Sequence, residues 1–455
     1  MSQYRNIDRE LVGEIWTSTE AKDNLRDLCS FGSRFGGSPG EKLAVEHMVK
    51  KYEEYGMDQS QAEEFKHLGW VRGTASLKVV SPKTKDLDCI SLPHGASGQV
   101  KGDLVYVGFG TPHEFDAAAD QMKDRVVMIN SKSPSYFYRP IHRKEKINRA
   151  VNGGATAVVF MRYEPGLLPE TGSTFHDREA PVPIISISRE VGEELLDMSR
   201  QVGPVTLDID VQNQLVPDAT SYNVVGEIKG QTHPDEIVLV GAHFDGHDIS
   251  QGAMDDGAGA AVVMEAARAL ARHKDHLART VRFVCFGLEE VGLQGSFNYT
   301  KDHEDEMERI RFMLNLDGAG RAGNNDLAVQ GFTELIPYLR RVAGEMSEPM
   351  MVDTNVVLFT DCFPFLARGV PSATATNLDD AKTVRGFGHT PADTLDKVSL
   401  RDLQLAAIWV SRLLLRVANE DQWPGVRKNE EEIKEAIGPA GLEVLKMVGR
   451  YPFST

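Results

Sequence analysis

The chain has 455 residues, 50 Lys and Arg against 67 Asp and Glu, a net charge of -17 and 41% hydrophobic residues. A chain of this length buries a large core and predicts two or three domains, so disorder is excluded as its main state. The acidic surplus repels phosphate backbones and anionic lipids, which makes nucleic acid and membrane surfaces poor candidates for the main partner.

The four cysteines stand far apart in the sequence, at positions 29, 89, 285 and 362. Without a Cys-x-x-Cys pair, neither a disulfide framework nor a thiolate zinc site is indicated, and a reducing compartment fits. Residues 1–16 are too charged for a signal peptide, and no apolar run approaches the roughly 18 residues of a membrane span. We therefore expect a cytoplasmic protein.

Residues 18–58 predict helices that a glycine-rich elbow interrupts at residues 35–40. Ser38 is the expected N-cap of the second helix, with Pro39 in its first turn. Helical spacing then predicts a buried stripe of four residues. These are Leu43, Ala44, His47 and Met48.

The middle of the chain predicts a compact β-rich module, because short apolar runs alternate there with turn residues and one amphipathic helix. The strand-like runs are Asp103–Val107, Arg125–Ile129, Ala157–Met161 and Val182–Ile187, and the helix is Lys144–Asn152.

Beyond residue 220, strands and helices alternate, which indicates an α/β sheet covered on both faces. The strands are Ile237–Ala242, Val281–Phe286 and Phe312–Leu316, and the helices are Ala258–Arg272 and Leu400–Val417. Residues 425–450 predict a helical appendix with one apolar docking face. That face consists of Ile433, Ile437, Leu442 and Leu445.

Chemically active side chains follow each of these three strands. The first strand leads into His243 and Asp245, the second into Glu289 and Glu290, and the third into Asp317. Because functional groups collect at the carboxyl ends of strands in open α/β sheets, we expect these side chains at one edge.

Two further segments add candidates to that edge. Asp255 and Asp256 precede a helix in a glycine-rich segment, and His389 lies in the loop at residues 386–391. So many carboxylates close together would repel one another without compensating positive charge. Two divalent cations would supply that charge. Imidazole and carboxylate ligands without thiolate match a catalytic zinc pair, although manganese or cobalt could occupy the same ligands. Of two adjacent glutamates, one can bind a metal while the other takes a proton from a shared water.

Five motifs in this order resemble the co-catalytic dizinc exopeptidases. They are His-x-Asp, Gly-Ala-x-Asp-Asp-Gly-x-Gly, Glu-Glu-x-Gly-Leu-x-Gly-Ser, Asn-x-Asp-Gly and His-Thr-Pro-x-Asp-Thr-x-Asp. The resemblance implies that His243 and Asp317 bind one zinc, that Glu290 and His389 bind the other, and that Asp255 bridges both.

The same resemblance implies that Glu289 is the general base and that Asp245 orients the His243 ring. It also implies a cis peptide bond between Asp255 and Asp256. His247 competes with His243 as a ligand, but the family spacing to Asp255 favours His243.

The segment from about residue 95 to 200 resembles a protease-associated (PA) domain through GDLVYVG, DRVVMINSK and PVPIISIS. Such domains are inserted between the first helices and the metal-binding half of these peptidases. The expected fold is α/β, with a mixed, mostly parallel central sheet flanked by helices, as in phosphorylase/hydrolase-like zinc exopeptidases. The predicted divisions are the catalytic halves at residues 1–92 and 205–420, the PA domain at 93–204 and the appendix at 421–455.

These observations predict a zinc-dependent exopeptidase with two Zn²⁺ per chain. An aminopeptidase that hydrolyses short peptides through a hydroxide between the zincs is favoured. The alternatives are a carboxypeptidase or dipeptidase of the plasma glutamate carboxypeptidase type, a glutaminyl cyclase, or an inactive receptor-like scaffold. Side-chain specificity and oligomeric state stay open, with a homodimer among the options.

Three weaker expectations concern the substrate. The aromatic run at residues 136–138 could form a lip over the site, and Arg321 and Arg385 could hold a substrate carboxylate. In relatives a tyrosine can stabilise the oxyanion; the residue before His389 here is Gly388, so that role stays unassigned.

Overall fold

The computed structural model describes residues 4–320, 325–378 and 386–453. It begins with three helices, α1 (Arg5–Trp16), α2 (Glu20–Ser30) and α3 (Pro39–Glu54). The Ser38 side chain accepts a hydrogen bond from the Glu41 N–H at 3.1 Å, which confirms the predicted cap of α3.

The predicted stripe on α3 is partly wrong. Ala44 and Met48 are fully buried, but Leu43 is 47% exposed. The buried face continues instead through Val45 and Tyr52. Leu43 lies beside this buried face and not on it. It was included in the predicted stripe only because it is apolar.

Two long antiparallel strands, β1 (Gln59–Ser81) and β8 (Thr206–Ile228), connect the two halves of the molecule. At one end β8 pairs with β10 (Arg279–Phe286) of the peptidase sheet, and at the other with β4 (Gly98–Tyr106) of the inserted module. Neither strand was predicted from the sequence. Residues 206–211 of β8 do alternate between polar and buried apolar side chains, but most other residues of both strands are exposed or half-buried.

The inserted module is built on parallel neighbours in the order β4-β5-β6-β7, with β3 antiparallel to β7. Every residue of β5 and β6 is buried, as expected for strands covered on both faces. The remaining elements of this part are β2 (Lys85–Leu87), β3 (Ile90–Ser91), α4 (Pro112–Ala117), β5 (Val126–Asn130), α5 (Arg143–Asn152), β6 (Ala157–Met161), β7 (Ile184–Ile187) and α6 (Arg189–Val202).

The peptidase sheet has the strand order β13-β12-β14-β11-β9-β10-β8. Strands β9, β10, β11 and β14 run parallel as neighbours. Strand β12 is antiparallel to β14 but parallel to β13, and β8 is antiparallel to β10. This confirms the predicted mixed, mostly parallel sheet. Its other elements are β9 (His233–His243), α7 (Ala258–Ala271), α8 (Gln294–Asp302), β11 (Ile310–Asn315), β12 (Asp326–Ala328), α9 (Leu335–Met346), β13 (Val352–Asp353), α10 (Phe363–Leu366), β14 (Ser372–Thr376) and α11 (Leu400–Ala418).

The C-terminal helix α12 (Glu430–Val448) bends at Gly438, which has a φ of 73°. Ile433 and Leu445 are buried, and Ile437 and Leu442 pack against the same core, which confirms the docking face. Its end also reaches the inserted module, where the α5 side chains of Lys144 and Asn148 donate to the carbonyls of residues 448 and 447. No helix among the described residues is long and apolar enough to cross a membrane.

Candidate metal centre

Three adjacent strands deliver the predicted side chains to one edge of the sheet. His243 is the last residue of β9, Glu289 and Glu290 follow β10, and Asp317 follows β11. Because the order is β11-β9-β10 and all three run parallel, their carboxyl ends lie side by side.

The side chains form two clusters. His243, Asp255 and Asp317 place one ligand atom each within 4.8 Å of one another, and His247, Glu290 and His389 do the same. Asp255 faces both clusters, with Oδ1 3.8 Å from Nε2 of His243 and Oδ2 3.4 Å from Nε2 of His389. This is the position that a bridging carboxylate requires.

His247, which was weighed against His243 as a ligand and not favoured, does not lie in the same cluster as His243. It belongs to the other cluster, where its Nε2 lies 3.0 Å from Oε2 of Glu290. Nε2 of His389 lies 3.1 Å from the same oxygen. Two imidazoles therefore face one carboxylate.

Asp245 is fully buried behind the first cluster. Its Oδ1 lies 3.3 Å from Nδ1 of His243, the arrangement expected for orienting the ring. The same carboxylate also accepts hydrogen bonds from the backbone N–H of Glu289 at 3.0 Å and of Glu290 at 3.3 Å. One side chain thus positions residues from two strand ends.

The turn that contains Asp255 is held by a carboxylate whose role was not predicted. Asp393 accepts from the backbone N–H of Met254 at 2.7 Å and of Asp255 at 3.2 Å. The signal for Asp393 was available, because it stands four residues after His389 in the motif. The Asp255–Asp256 peptide bond is cis, as predicted.

Arg34 was missed entirely. It is 1% exposed, and its guanidinium donates to the carbonyl of Phe244 at 2.7 Å, of Gln251 at 2.6 Å and of Gly252 at 2.8 Å. These bonds tie the loop after β9 to the turn before Asp255. A lone arginine beside the glycine-rich elbow was its only signal in the sequence.

Asp361 is a second buried carboxylate that no motif indicated. It is 1% exposed and accepts from the Ser296 hydroxyl at 2.6 Å. Burial raises its pKa to about 7, and the nearby carboxylates of Asp245 and Asp317 add to the effect.

The site attracts positive charge. Burial alone would lower the pKa of His243, but its hydrogen bonds with Asp245 and Asp255 raise it well above the ordinary value. For Glu289, burial itself raises the pKa well above its usual range, and the charges of Asp317 and Glu290 act in the same direction.

The donor set fits divalent metal ions. Its ligands are imidazole nitrogens and carboxylate oxygens, and in the described part of the chain no Lys or Arg forms an ion pair with Glu289, Glu290 or Asp361. Oε1 of Glu290 is buried without a hydrogen bond, although buried polar atoms normally have a partner. Metal ions would satisfy both the charge and the lone pairs.

The inserted module supports His389 directly. The N–H of Thr171 donates to the His389 carbonyl at 2.8 Å, and Nδ1 of His389 lies 3.2 Å from the Thr171 carbonyl. Arg143 donates to that carbonyl at 3.1 Å, and Arg72 donates to the Thr171 hydroxyl at 3.2 Å. The contact at Nδ1 leaves Nε2 to point at Glu290.

A cavity of about 570 Å³ lies between the two halves of the molecule. Its peptidase side includes Asp255, Glu289, Glu290, Asp317 and His389, and its other side includes Ser131–Ser133, Pro140–Arg143, Glu170 and Ser173 of the inserted module. The predicted aromatic lip, residues 136–138, lies between two segments that line the cavity, 131–133 and 140–143. Tyr136 and Tyr138 are 72% and 74% exposed, and the flanking segments line the cavity.

The remaining expectations concern the groups that would hold a substrate carboxylate and stabilise the oxyanion. Arg321 and Arg385 lie outside the described residues. At Gly388, a Cβ would approach Oδ2 of Asp255 to 2.7 Å, which explains why a side chain is absent there. The group that stabilises the oxyanion therefore stays unassigned.

Comparison with known proteins identifies both halves. Residues 223–414 match the model of peptidase family M28, and residues 100–195 match the PA domain. The chain therefore contains an M28 peptidase region and a PA domain. The predicted family, fold and enzyme class are thereby confirmed, and the M28 match includes all seven predicted site residues, from His243 to His389.

Relatives match this chain over most of its length. Carboxypeptidase Q of Xenopus laevis is 27% identical over 90% of the chain and 89% of its own length. Aminopeptidase YwaD of Bacillus subtilis (strain 168) is 26% identical over 95% of the chain and 91% of its own.

Solved structures share the fold of this chain. A peptidase M28 precursor from Shewanella amazonensis SB2B has a TM-score of 0.80 at 25% identity, covering 93% of this chain and 98% of its own. BSAP, a zinc aminopeptidase from Bacillus subtilis, has a TM-score of 0.68 at 24% identity, covering 91% of this chain and 98% of its own.

Proposed function

We propose that this M28 peptidase is a zinc-dependent aminopeptidase that holds two Zn²⁺ per chain and removes N-terminal residues from short peptides. The observation that carries the proposal is the pair of ligand clusters that share Asp255, with Glu289 lining the same cavity. A cavity of about 570 Å³ is of the size that small ligands occupy.

His243 and Asp317 would hold one zinc, Glu290 and His389 the other, and Asp255 both. Nitrogen and oxygen donors with open positions are typical of catalytic zinc sites, and the related BSAP is described as a zinc aminopeptidase. When bound, zinc polarises a carbonyl as a Lewis acid and lowers the pKa of water.

The chain itself supplies the base. Glu289 takes the proton from the attacking water and passes it to the leaving amine. Burial favours the protonated form of Glu289, so this carboxylate is a better proton acceptor than an exposed glutamate. Asp245 fixes the backbone N–H of Glu289 and thereby sets the direction of that side chain.

The second candidate is a carboxypeptidase. Lys132 and Arg143 line the cavity, and a cation there would attract the C-terminal carboxylate of a peptide. Carboxypeptidase Q is also among the relatives. The aminopeptidase is favoured because YwaD aligns with more of the chain and because Arg143 already contacts Glu170 at 3.1 Å.

The test compares one dipeptide in its free, N-acetylated and C-amidated forms, with zinc content measured on the same preparation. We expect two zinc ions per chain, hydrolysis of the free and amidated forms, and loss of hydrolysis after acetylation. Hydrolysis that survives acetylation and is lost on amidation would establish the carboxypeptidase instead. Zinc binding without hydrolysis of any form would contradict both.

A further inference from the structure

His247 has the surroundings of a metal ligand. It lies four residues after His243 on the loop that follows β9 and is 2% exposed. One ring nitrogen of His247, one of His389 and one Glu290 oxygen all lie within 4.8 Å of one another. Ligand atoms that share a zinc at about 2.0 to 2.2 Å lie at most about 4.4 Å apart, close to this spacing.

A purely structural role fits His247 poorly. Both ring nitrogens are buried without a well-directed hydrogen bond, and Nε2 faces the Glu290 carboxylate at 3.0 Å. His94, by comparison, is equally buried but places Nε2 3.0 Å from the Leu68 carbonyl. Burial of a polar atom without a well-formed hydrogen bond costs about 1 to 3 kcal/mol, and a metal ion bound at His247 would offset that cost.

Packing holds the ring in place. Phe35 stacks on His247 with centroids 6.3 Å apart and an interplanar angle of 26°, and the His389 ring meets it edge-on at 4.6 Å. Nε2 lies at ion-pair distance, 3.0 Å, from Oε2 of Glu290, but its direction is not that of a well-formed hydrogen bond. This geometry suits side chains that bind one metal ion together.

We propose that His247 is an additional protein ligand of the metal ion held by Glu290 and His389. The inference rests on the proposed function, because it presupposes that the two clusters bind zinc. The two ions then differ. The ion at His247 has four protein ligands, and the ion at His243 has three.

This asymmetry predicts an order of metal loading. Zinc with four protein ligands is typical of closed, tightly held sites, whereas three ligands leave a position for water or substrate. The ion at His247 is therefore bound first and released last. The ion at His243 is the one that a chelator removes first.

The experiment uses His247→Phe, which keeps an aromatic ring against Phe35 but removes the ligating nitrogen. His94→Phe is the matched control, because it also replaces a buried imidazole. Zinc retention is measured by elemental analysis after dialysis against increasing chelator. In the wild type we expect one zinc to be lost early and the second at a chelator concentration on the order of 10 to 100 times higher. In His247→Phe both zinc ions should be lost at the low chelator concentration. In His94→Phe the two losses should stay as far apart as in the wild type.

X-ray absorption of the wild-type zinc protein adds a measurement that needs no variant. Three imidazoles shared by the two zincs support the inference, and two overturn it. Unchanged zinc retention in a folded His247→Phe protein also overturns it, while the proposed function survives. A wild-type protein that binds no zinc overturns both.

Discussion

At the scale of single residues, two neighbouring glutamates of the metal centre have different surroundings, which shift their pKa values in opposite directions. Glu290 faces His247 and His389, which outweigh the effect of burial and hold its pKa well below the ordinary value. Glu289 has a pKa raised by burial and by nearby carboxylates. The first is therefore suited to bind a cation and the second to move a proton.

Glu289→Gln should abolish hydrolysis and leave zinc in place. The amide keeps the size of the side chain but cannot accept the proton, and such losses amount to about 10²- to 10⁴-fold in kcat. Turnover and zinc content are measured on one preparation. The matched variant Glu290→Gln should instead lose zinc. Near-normal turnover in Glu289→Gln would refute the assignment of the base.

Much of the site could be predicted because its residues follow buried strands in recognisable motifs. His243, Glu290 and Asp317 each follow an apolar strand, and the parallel sheet brings them together. Arg34 and Asp361 could not be predicted. Their roles depend on contacts with distant backbone carbonyls and on Ser296, which no local pattern encodes.

At the scale of elements, the loop at residues 386–391 must approach the turn before α7 closely. Gly388 meets Asp255 where a Cβ would come within 2.7 Å of Oδ2. Asp393 meanwhile holds the backbone of the same turn. The carboxylate has little room to move aside without losing its position between the two clusters.

Gly388→Ala should therefore weaken zinc binding by about 10- to 100-fold, the range seen when the support of a metal ligand is disturbed. Competition with a zinc chelator measures this change. Gly344→Ala is the control, because a Cβ there meets nothing within 4 Å and the residue lies inside α9. If both variants bind zinc like the wild type, the close approach is unimportant.

The elements themselves were predictable where hydrophobic pattern and burial agree. Strand β6 and helix α7 were predicted to within one residue at each end, because they are buried throughout. Strands β1 and β8 were missed because they are stabilised mainly by pairing with each other over more than a dozen residues. Residues 206–211 of β8 carry the alternation of a half-buried strand and were overlooked, whereas pairing between segments so far apart in sequence leaves little local signal elsewhere.

At the scale of the whole molecule, one ion-pair network joins the two ends of the peptidase half. Asp8 on α1 accepts hydrogen bonds from Arg416 on α11 at 2.7 and 3.0 Å, and Arg412 lies 3.3 Å away. Burial alone would raise the pKa of Asp8, but the two arginines lower it below its ordinary value of 3.8.

Asp8→Asn should destabilise the protein by about 2 kcal/mol near neutral pH, less than a fully buried pair because water reaches the carboxylate. Since folding lowers this pKa, the stabilisation is complete above the ordinary value of 3.8 and is lost as pH falls through the lower folded value. Tm is compared with that of the wild type between pH 7 and 3. The difference should be constant down to about pH 5 and should narrow below about pH 4.

Asp197→Asn is the control for this comparison, because its partner Arg200 is 69% exposed and surface pairs contribute little. A Tm difference between Asp8→Asn and the wild type that widens on acidification would contradict the sign of the effect.

The backbone contacts between Thr171 and His389 have a consequence for chimaeric enzymes. A designer who replaced the inserted module to obtain a new substrate preference would also remove the carbonyl that orients a metal ligand. Since main-chain atoms make these contacts, an alignment would not flag position 171 as essential. A graft that preserves the path of the chain through residues 170–173 should keep the metal centre, whatever side chains it carries there.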